Sequence, residues 1–398
     1  GFDGSGGEPV IPGPNYGDIS SGKNLDGKIA GGNGEGGGET QRLINDEFFG
    51  WEEGLDADPL PIELVNYFIA RMAVEATDGA TPTISTVGNP AVEIDSVTID
   101  AAGVDYRQLT QKFLTGAVSL SQGTNDYFQT DYPNALGQED EKAFSAGEHD
   151  FDEAFGYYGG ARNMNDFTDD EAAGKGGRDE FGNGYNDANA DGSIDVRSEI
   201  NLGISQNCHK RDRKDLDGDG VGEKDMSKEA FDAFILGRHV LSDATNAGSL
   251  SAAQLAVIKT QAEIAGKAME KCVAATVVHY INDVVADMAD FDAANSVFKD
   301  TSNFKDLAKH WSEMKGFALG LQFSPWSPFA VDKTERDKLK TILSDMGDGP
   351  VLADGSQVGV AATGTAAEAI AAYKTKLETA RATLATAYGF SDELAAAW

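Results

Sequence analysis

The chain has 398 residues, of which 66 are acidic and 32 are basic, so its formal net charge is −34. A charge of this size and sign makes nucleic acids and anionic membrane surfaces poor partners and metal cations good ones. The length favours two domains or subdomains, and because no run of 18 apolar residues occurs we expect no transmembrane segment.

The first part of the chain is predicted to be a flexible tether. Residues 1–40 are rich in Gly, Asn, Asp and Pro, so they contain too little apolar surface to form a core. A tether of this kind is typical of bacterial lipoproteins. Residues 41–160 are then predicted to form an N-terminal helical bundle, with helices over 59–77, 104–120 and 140–158 and a loop or short hairpin in 79–104.

The middle of the chain is different in composition. Residues 161–226 break the helical pattern with Gly, Asn and Asp, which predicts a loop-rich acidic insertion. Helical patterns resume over 227–242, 251–289, 302–322, 332–346 and 365–388, so residues 227–398 are predicted to form a second bundle. The expected fold class is all-α, with two antiparallel helical bundles separated by a calcium-type acidic insertion.

The chain has two cysteines, Cys208 and Cys272. Their occurrence beside calcium-type loops suits an exported protein, and we predict a disulfide between them. Two free thiols are the alternative.

The first calcium-type loop starts at Asp187 and follows the D-x-N-x-D-G-x-I pattern of an EF-hand-like loop. Oxygen atoms at its first, third and fifth positions converge on a hard cation, and Gly192 allows the sharp turn. The glutamate expected at the twelfth position is replaced by Ser198, with Glu199 one place later. The predicted ligands are Asp187, Asn189, Asp191, Ser193, Asp195 and Glu199.

The second calcium-type loop starts at Asp215 and has a D-x-D-x-D-G core. It is similar to the short calcium loops of extracellular repeat modules. Together the two loops predict bound Ca²⁺ with a structural role, and the alternative is an acidic loop stabilised by Asn, Asp and Gly turn chemistry. The predicted ligands of the second loop are Asp215, Asp217, Asp219, Val221, Glu223 and Asp225.

Each of the five histidines has an acidic residue three or four positions later, which places the two on one helical face. Two of these histidines, His149 and His310, lie near aromatic residues in predicted helices. If those helices meet, imidazole nitrogens and carboxylate oxygens would form a site for iron or zinc. Such pairs also stabilise helices without a metal. The predicted transition-metal ligands are His149, Asp152, Glu153, His310 and Glu313.

The other three histidines have simpler interpretations. His279 lies in an apolar stretch and is predicted to be a core residue. His239 is predicted to be a charge partner near the end of a helix. His209 lies in a basic run that is predicted to be a solvated loop.

The chain contains no P-loop, dinucleotide fingerprint, G-x-S-x-G elbow or H-E-x-x-H motif, which favours a non-enzymatic protein. One alternative is a metallopeptidase with Glu153 or Glu313 as the base. Another is a calcium-stabilised surface module that binds polysaccharide or a partner protein, with Trp326 and the Tyr157–Tyr158 pair stacking on sugars.

Four short stretches, residues 38–43, 108–117, 148–157 and 310–317, resemble the imelysin-like exported proteins of bacteria, and more closely an uncharacterised lipoprotein branch of that group. Of the imelysin motif G-x-H-x-x-E, the chain keeps Gly147 and His149 and has Asp152 at the last place, whereas His310 and Glu313 lack the preceding Gly. The resemblance implies an all-α fold, a periplasmic or cell-surface lipoprotein and a role in iron acquisition, with metal ions and possible envelope proteins as partners. The group's peptidase label is not supported by these motifs.

Overall fold

The computed structural model describes residues 25–31, 43–56, 59–77, 83–84, 92–94 and 96–398. Within these residues the fold is all-α, as predicted. The predicted tether, residues 1–40, lies outside the described residues except for 25–31. Those seven residues do not behave as a tether, because Ile29 and Ala30 are buried in the core and the N–H of Ala30 donates to the carbonyl of Ala117 at 2.8 Å.

The α-helices of the described chain are α1 Pro61–Thr77, α2 Tyr106–Leu114, α3 Ser121–Asn125, α4 Ala146–Tyr158, α5 Asp169–Ala172, α6 Gly203–Asp212, α7 Met226–Ala247, α8 Ala252–Ala289, α9 Thr301–Leu319, α10 Lys333–Met346, α11 Ala366–Tyr388 and α12 Asp392–Ala397. A π-helical segment, Thr115–Leu120, joins α2 to α3. Single turns of 3-10 helix occur at Ile44–Asp46, Tyr127–Gln129, Tyr132–Asn134, Met164–Asp166, Gly320–Gln322 and Pro328–Ala330, and a longer 3-10 stretch at Asp179–Gly184. The strands β1 Thr83–Ile84 and β2 Val92–Glu93 pair antiparallel and form the short hairpin that the sequence allowed.

Reciprocal side-chain caps mark the start of four helices, and for the two that follow Ser251 and Thr365 this start is where the sequence predicts it. In each of four helices a Ser or Thr accepts a hydrogen bond from the N–H three residues later, and that residue's side chain bonds back to the cap. This reciprocal arrangement satisfies N–H groups that have no partner inside the helix. The capping residues are Ser145, Thr168, Ser251 and Thr365.

The longest helix, α8, is the centre of the fold. It has 38 residues, which corresponds to about 57 Å at the usual rise per residue. It packs against α7, α9, α6 and α11. Consecutive residues such as Val273, Ala274 and Ala275 are all fully buried, so this helix is surrounded by neighbours rather than presenting one stripe to a core.

The segments predicted as two bundles share one continuous hydrophobic core. That core runs from Ile29 to Trp398 and includes residues of both halves. A second, small cluster lies in the predicted insertion and contains Ala161, Phe167, Ala172 and Phe181. Among the described residues, no helix is both long enough and apolar enough to cross a membrane.

Two helices, the single-turn α5 and the longer α6, occur inside the segment predicted to be a loop-rich insertion. The longer one bears on the disulfide. It carries Cys208, which forms the predicted disulfide with Cys272 of α8, with Cα atoms 4.8 Å apart. The start of the acidic loop that follows α6 is therefore tied covalently to the central helix.

Candidate metal sites

The second calcium-type loop brings three of its predicted ligands together. Carboxylate oxygens of Asp215, Asp217 and Glu223 lie within 4.8 Å of one another. One ion can contact all three, because Ca²⁺–oxygen distances are about 2.3–2.6 Å. In the part of the chain that the structure describes, this is the one group of three or more His, Cys, Asp or Glu side chains at such spacing.

The backbone of this loop positions the carboxylates. Asp215 accepts hydrogen bonds from the N–H groups of Gly220 at 2.9 Å and Gly218 at 2.7 Å. These bonds hold the pKa of Asp215 below its usual range, so the side chain is ionised at neutral pH. Gly220 has φ of 87°, a left-handed conformation that glycine adopts without steric cost. Glu223 accepts the N–H of Leu216 at 3.2 Å and closes the loop.

The other predicted ligands of this loop are arranged differently. Asp219 accepts the N–H of Val221 at 2.8 Å, and the Val221 side chain is exposed, so Val221 could contribute only its carbonyl oxygen. Asp225 stands at the start of α7, where its carboxylate interacts with Asp169 and His209 rather than with the loop centre.

In the first calcium-type loop, the acidic side chains bind the loop's own backbone. Asp187 accepts the N–H groups of Asp191 at 3.1 Å and Gly192 at 2.8 Å. Asp191 in turn accepts the N–H of Ser193 at 2.9 Å and its hydroxyl at 2.6 Å. These short-range bonds shape the loop, but its described Asp and Glu side chains do not form a group of three at metal-binding spacing.

Glu199 has a closing role in the first loop. It is 4% exposed, and its carboxylate accepts three backbone N–H groups, those of Ala188, Asn189 and Asp195. The Asp195 side chain pairs with Arg197 at 3.2 Å. Glu199 therefore supports the loop from inside, one position after the place where an EF-hand carries its last ligand.

His149 lies on α4, and both of its ring nitrogens face carboxylates. Nδ1 is 2.5 Å from Oε2 of Glu139, and Nε2 is 3.5 Å from Oε1 of Glu153. The two nitrogens of an imidazole point in different directions, so these carboxylates do not converge on one point. Asp152 turns to α7 and pairs with Arg238 at 2.8 Å.

His310 and Glu313, both on α9, have different partners. Nδ1 of His310 is 2.8 Å from Oδ2 of Asp287 on α8. Burial acts to lower the pKa of His310, but the Asp287 hydrogen bond and charge outweigh it and raise that pKa. Glu313 is 3% exposed, and its Oε1 is 3.3 Å from Nζ of Lys112 on α2.

The predicted five-residue transition-metal site is therefore not assembled. No three of His149, Asp152, Glu153, His310 and Glu313 offer ligand atoms within 4.8 Å of one another. The reason lies in the packing, because α4 packs mainly against α3 and α7 whereas α9 packs mainly against α8 and α2. Each predicted ligand instead contacts a carboxylate or a base among its own neighbours, and Oε2 of Glu313 is buried without a hydrogen-bond partner.

The remaining histidines also meet carboxylates. His279 is mostly buried, with Nε2 3.3 Å from Asp283, and burial lowers its pKa to about 3. This agrees with the predicted core role. His239 is exposed and lies 3.8 Å from Asp243, but α7 continues to Ala247, so it is not at a helix end.

The prediction for His209 was wrong. The sequence placed it in a solvated loop, but it lies on α6 and is 4% exposed. Its Nδ1 is 2.7 Å from Oδ1 of Asp169 on α5. Because α6 packs against both α5 and α8, the imidazole is enclosed by neighbouring elements.

The aromatic residues proposed to stack on sugars are largely packed within the protein. Trp326 is half-buried and packs against Gly266 and Phe128. Tyr158 is fully buried, and its hydroxyl donates to the carbonyl of Ser227 at 3.3 Å. An exposed stacking surface made by Trp326 and Tyr158 is therefore not formed.

One charged network was missed at the level of sequence. Arg238 of α7 pairs with Glu148 at 2.5 Å and with Asp152 at 2.8 Å, and so joins α7 to α4. The i, i+4 spacing of the two acids was the available signal, but the position of Arg238 opposite them follows only from the fold.

Comparisons with known proteins add no relative. No protein-family model, no curated protein and no solved structure matches the chain.

Proposed function

We propose that this chain is an exported, metal-binding protein of the cell envelope, in which Ca²⁺ binds the loop of residues 215–225 and orders the surrounding acidic segment. The observation that carries the proposal is the convergence of Asp215, Asp217 and Glu223 within 4.8 Å. Three carboxylates at this spacing repel one another, and a hard divalent cation with oxygen ligands removes that repulsion.

The surroundings of the loop support a structural role for the ion. The loop connects α6 to α7, and α6 is fixed to α8 by the disulfide between Cys208 and Cys272. Ordering the loop therefore fixes the connection between two elements that pack on the central helix. A stable disulfide also suits an oxidising compartment outside the cytoplasm.

The proposal predicts a calcium site that depends on the loop carboxylates. We expect Asp217→Asn to weaken Ca²⁺ binding at least tenfold, because it removes one charged ligand from a site with three. Isothermal titration of the calcium-stripped protein measures this change. Asp243→Asn is the matched control, since Asp243 is an exposed acid on α7 whose partner is His239.

The result that supports the proposal is one saturable Ca²⁺ site in the parent and in Asp243→Asn that is weakened in Asp217→Asn. Equal Ca²⁺ affinity in all three proteins would place the calcium elsewhere and contradict the proposal, as would the absence of any Ca²⁺ binding by the parent.

A further inference from the structure

Lys315, on α9, is a lysine that the fold buries completely. Its Nζ donates hydrogen bonds to the carbonyl of Leu343 at 2.9 Å and to the carbonyl of Gly347 at 2.6 Å. A third polar neighbour is Oδ1 of Asp348, which lies 3.6 Å from Nζ, farther than an ordinary hydrogen bond. Since burying a charge is costly unless it is closely paired, this environment favours the neutral form of the amine.

The neutral amine of Lys315 is a nucleophile with a fixed orientation. Burial lowers the pKa of Lys315 to about 8, although the charge of Asp348 acts in the opposite direction. A fraction of the side chain is therefore uncharged near neutral pH, and an uncharged lysine amine attacks carbonyl carbon. In that state its two N–H groups bond to the two carbonyls, which only accept hydrogen bonds. The lone pair is then left for the remaining polar neighbour, Asp348.

The carboxyl group of Asp348 is held in a way that suits attack on its carbon. Its Oδ2 accepts the N–H groups of Glu52 at 2.8 Å and Glu53 at 2.9 Å. Two backbone N–H groups on one oxygen stabilise the negative charge that develops there in a tetrahedral intermediate. Oδ1, the oxygen that faces Lys315, accepts neither of these bonds and is free to leave as water.

The turn that carries Asp348 is fixed from the other side by Gln357. The amide of Gln357 donates to the carbonyl of Met346 at 2.9 Å and to that of Gly349 at 2.6 Å. Trp51, which is 2% exposed, covers Lys315 with its ring centroid 5.8 Å from Nζ. Two reacting groups that are held side by side and shielded from water have a high effective concentration, which favours their condensation over hydrolysis.

Glu53 places a second carboxyl group beside the pair. It lines the same cleft as Asp348, whose volume is about 700 Å³. Partial burial raises the pKa of Glu53, and the charges of Asp100 and Asp348 add to that effect. A carboxyl group with a raised pKa is a better proton carrier near neutral pH, and the cleft gives a leaving water molecule a way out.

We propose that Lys315 and Asp348 join in an intramolecular amide (isopeptide) bond. Nζ attacks Cγ of Asp348, the C–N bond forms, and negative charge develops on Oδ2. Glu53 carries the protons that the nitrogen loses to Oδ1, the bond between Cγ and Oδ1 breaks, and one water molecule leaves. An ammonium and a carboxylate become an amide and water, so the step needs no oxidant, reductant or activating group. The bond links α9 to the turn after α10 and does not depend on calcium.

The test is the intact mass of the full chain, measured after reduction and unfolding in guanidinium chloride. We expect the parent to be lighter than its sequence by the mass of one water molecule, and a protease digest to contain a branched peptide that joins Lys315 to Asp348. Lys340→Arg is the matched control, because Lys340 lines the same cleft but pairs with Glu47. The control should lose one water molecule, as the parent does.

Substitutions at the two reacting residues have distinct outcomes. Lys315→Arg keeps the positive charge but removes the amine, and Asp348→Ala removes the carboxyl group, so both proteins should have the full mass of their sequences. Asp348→Asn should lose ammonia instead of water, because the leaving group is then the amide nitrogen.

The role of Glu53 is tested by the rate of the reaction, followed as the fraction of cross-linked chain at successive times after cell-free synthesis. Glu53→Gln should react roughly a hundredfold more slowly than the parent, because the proton carrier is lost. Glu52→Gln, which keeps the backbone donor to Asp348, is the matched control and should react like the parent. A Glu53→Gln protein that reacted as fast as the parent would contradict this role.

The parent protein alone can overturn the proposal, so no variant has to fold. A parent that keeps the full mass of its sequence after incubation at a pH near the pKa of Lys315 would do so. A parent that lost water without yielding a branched peptide between Lys315 and Asp348 would also overturn it.

Discussion

Among single residues, Glu270 of α8 has an environment that makes a direct prediction about pH. It is 1% exposed, and the Tyr388 hydroxyl donates to its Oε1 at 2.7 Å. Burial raises its pKa from an ordinary value of 4.5 to about 7, although hydrogen bonds from Ser327, Tyr388 and Ser324 act in the opposite direction. Glu270 is therefore protonated in the folded protein at pH values where it is ionised in the unfolded chain.

This difference gives Glu270 a defined pH window. The pKa of Glu270 is higher in the folded state, so between about pH 4.5 and pH 7 the folded protein keeps a proton on Glu270 that the unfolded chain has lost. The free energy of unfolding therefore decreases as pH rises through that window. The decrease is roughly 3 kcal/mol at most. Glu270→Gln cannot ionise, so it should be more stable than the parent at pH 8 and gain little at pH 4.

Urea unfolding of both proteins at pH 4, 6 and 8 measures the effect. The matched control is Glu263→Gln, which removes an exposed acid of the same helix that pairs with Lys267. The control should follow the pH dependence of the parent. If Glu270→Gln followed the same pH dependence as the parent, the pKa of Glu270 would not be raised by folding, which would contradict the prediction.

At the scale of elements, two helical segments approach closely through glycines. A Cβ atom added to Gly116, in the π-helical segment after α2, would lie 2.1 Å from the Cα of Gly320 at the end of α9. The obstacle is backbone, which cannot rotate away as a side chain can. The contact between α9 and the segment after α2 therefore requires glycine at position 116.

We expect Gly116→Ala to destabilise the protein by about 3 kcal/mol or more, because the two segments must move apart. Gly156→Ala on α4 is the matched control, since a Cβ there meets nothing within 4 Å. The Gly156→Ala substitution should be neutral or stabilising by up to about 1 kcal/mol, because alanine has a higher helix propensity than glycine. Thermal and urea unfolding measure the stability of the two variants and of the parent. A Gly116→Ala protein as stable as the parent would show that the close approach at Gly116 is absent.

The elements also show which features of this fold are visible in the sequence. Long helices that begin at a Ser or Thr cap and contain few helix breakers, such as α8 and α11, were predicted within a residue or two. Helix α6 was missed because it is short and polar, with Ile204 and Cys208 as its main apolar contacts. Ile29 and Ala30 were missed because two apolar residues among glycines and acids give no periodic signal.

At the scale of the whole molecule, the second calcium-type loop and the histidine–carboxylate pairs differ in how far the sequence can predict them. The loop ligands Asp215, Asp217 and Glu223 lie within one short stretch, so local spacing was enough to bring them together. Three histidines do contact the acid four residues later, namely His149, His239 and His279, but the closest partners of the other two come from tertiary packing. His310 meets Asp287 of another helix and His209 meets Asp169, rather than the acids three residues after them.

The whole molecule also explains why a cation site matters here. With a net charge of −34, the folded chain experiences self-repulsion that is largest where acids cluster. In the acidic segment the disulfide fixes α6, and the proposed Ca²⁺ would fix the loop after it. Covalent and ionic restraints would then replace the large core that this segment lacks, since its own cluster is four residues.

The central claim is that Ca²⁺ binds the 215–225 loop, and hydrogen–deuterium exchange of the peptides covering 213–225 tests it most directly. We predict slower exchange in these peptides when Ca²⁺ is added, and no such slowing in Asp217→Asn, while peptides from α8 remain unchanged. Exchange in 213–225 that is the same with and without Ca²⁺ would contradict the claim.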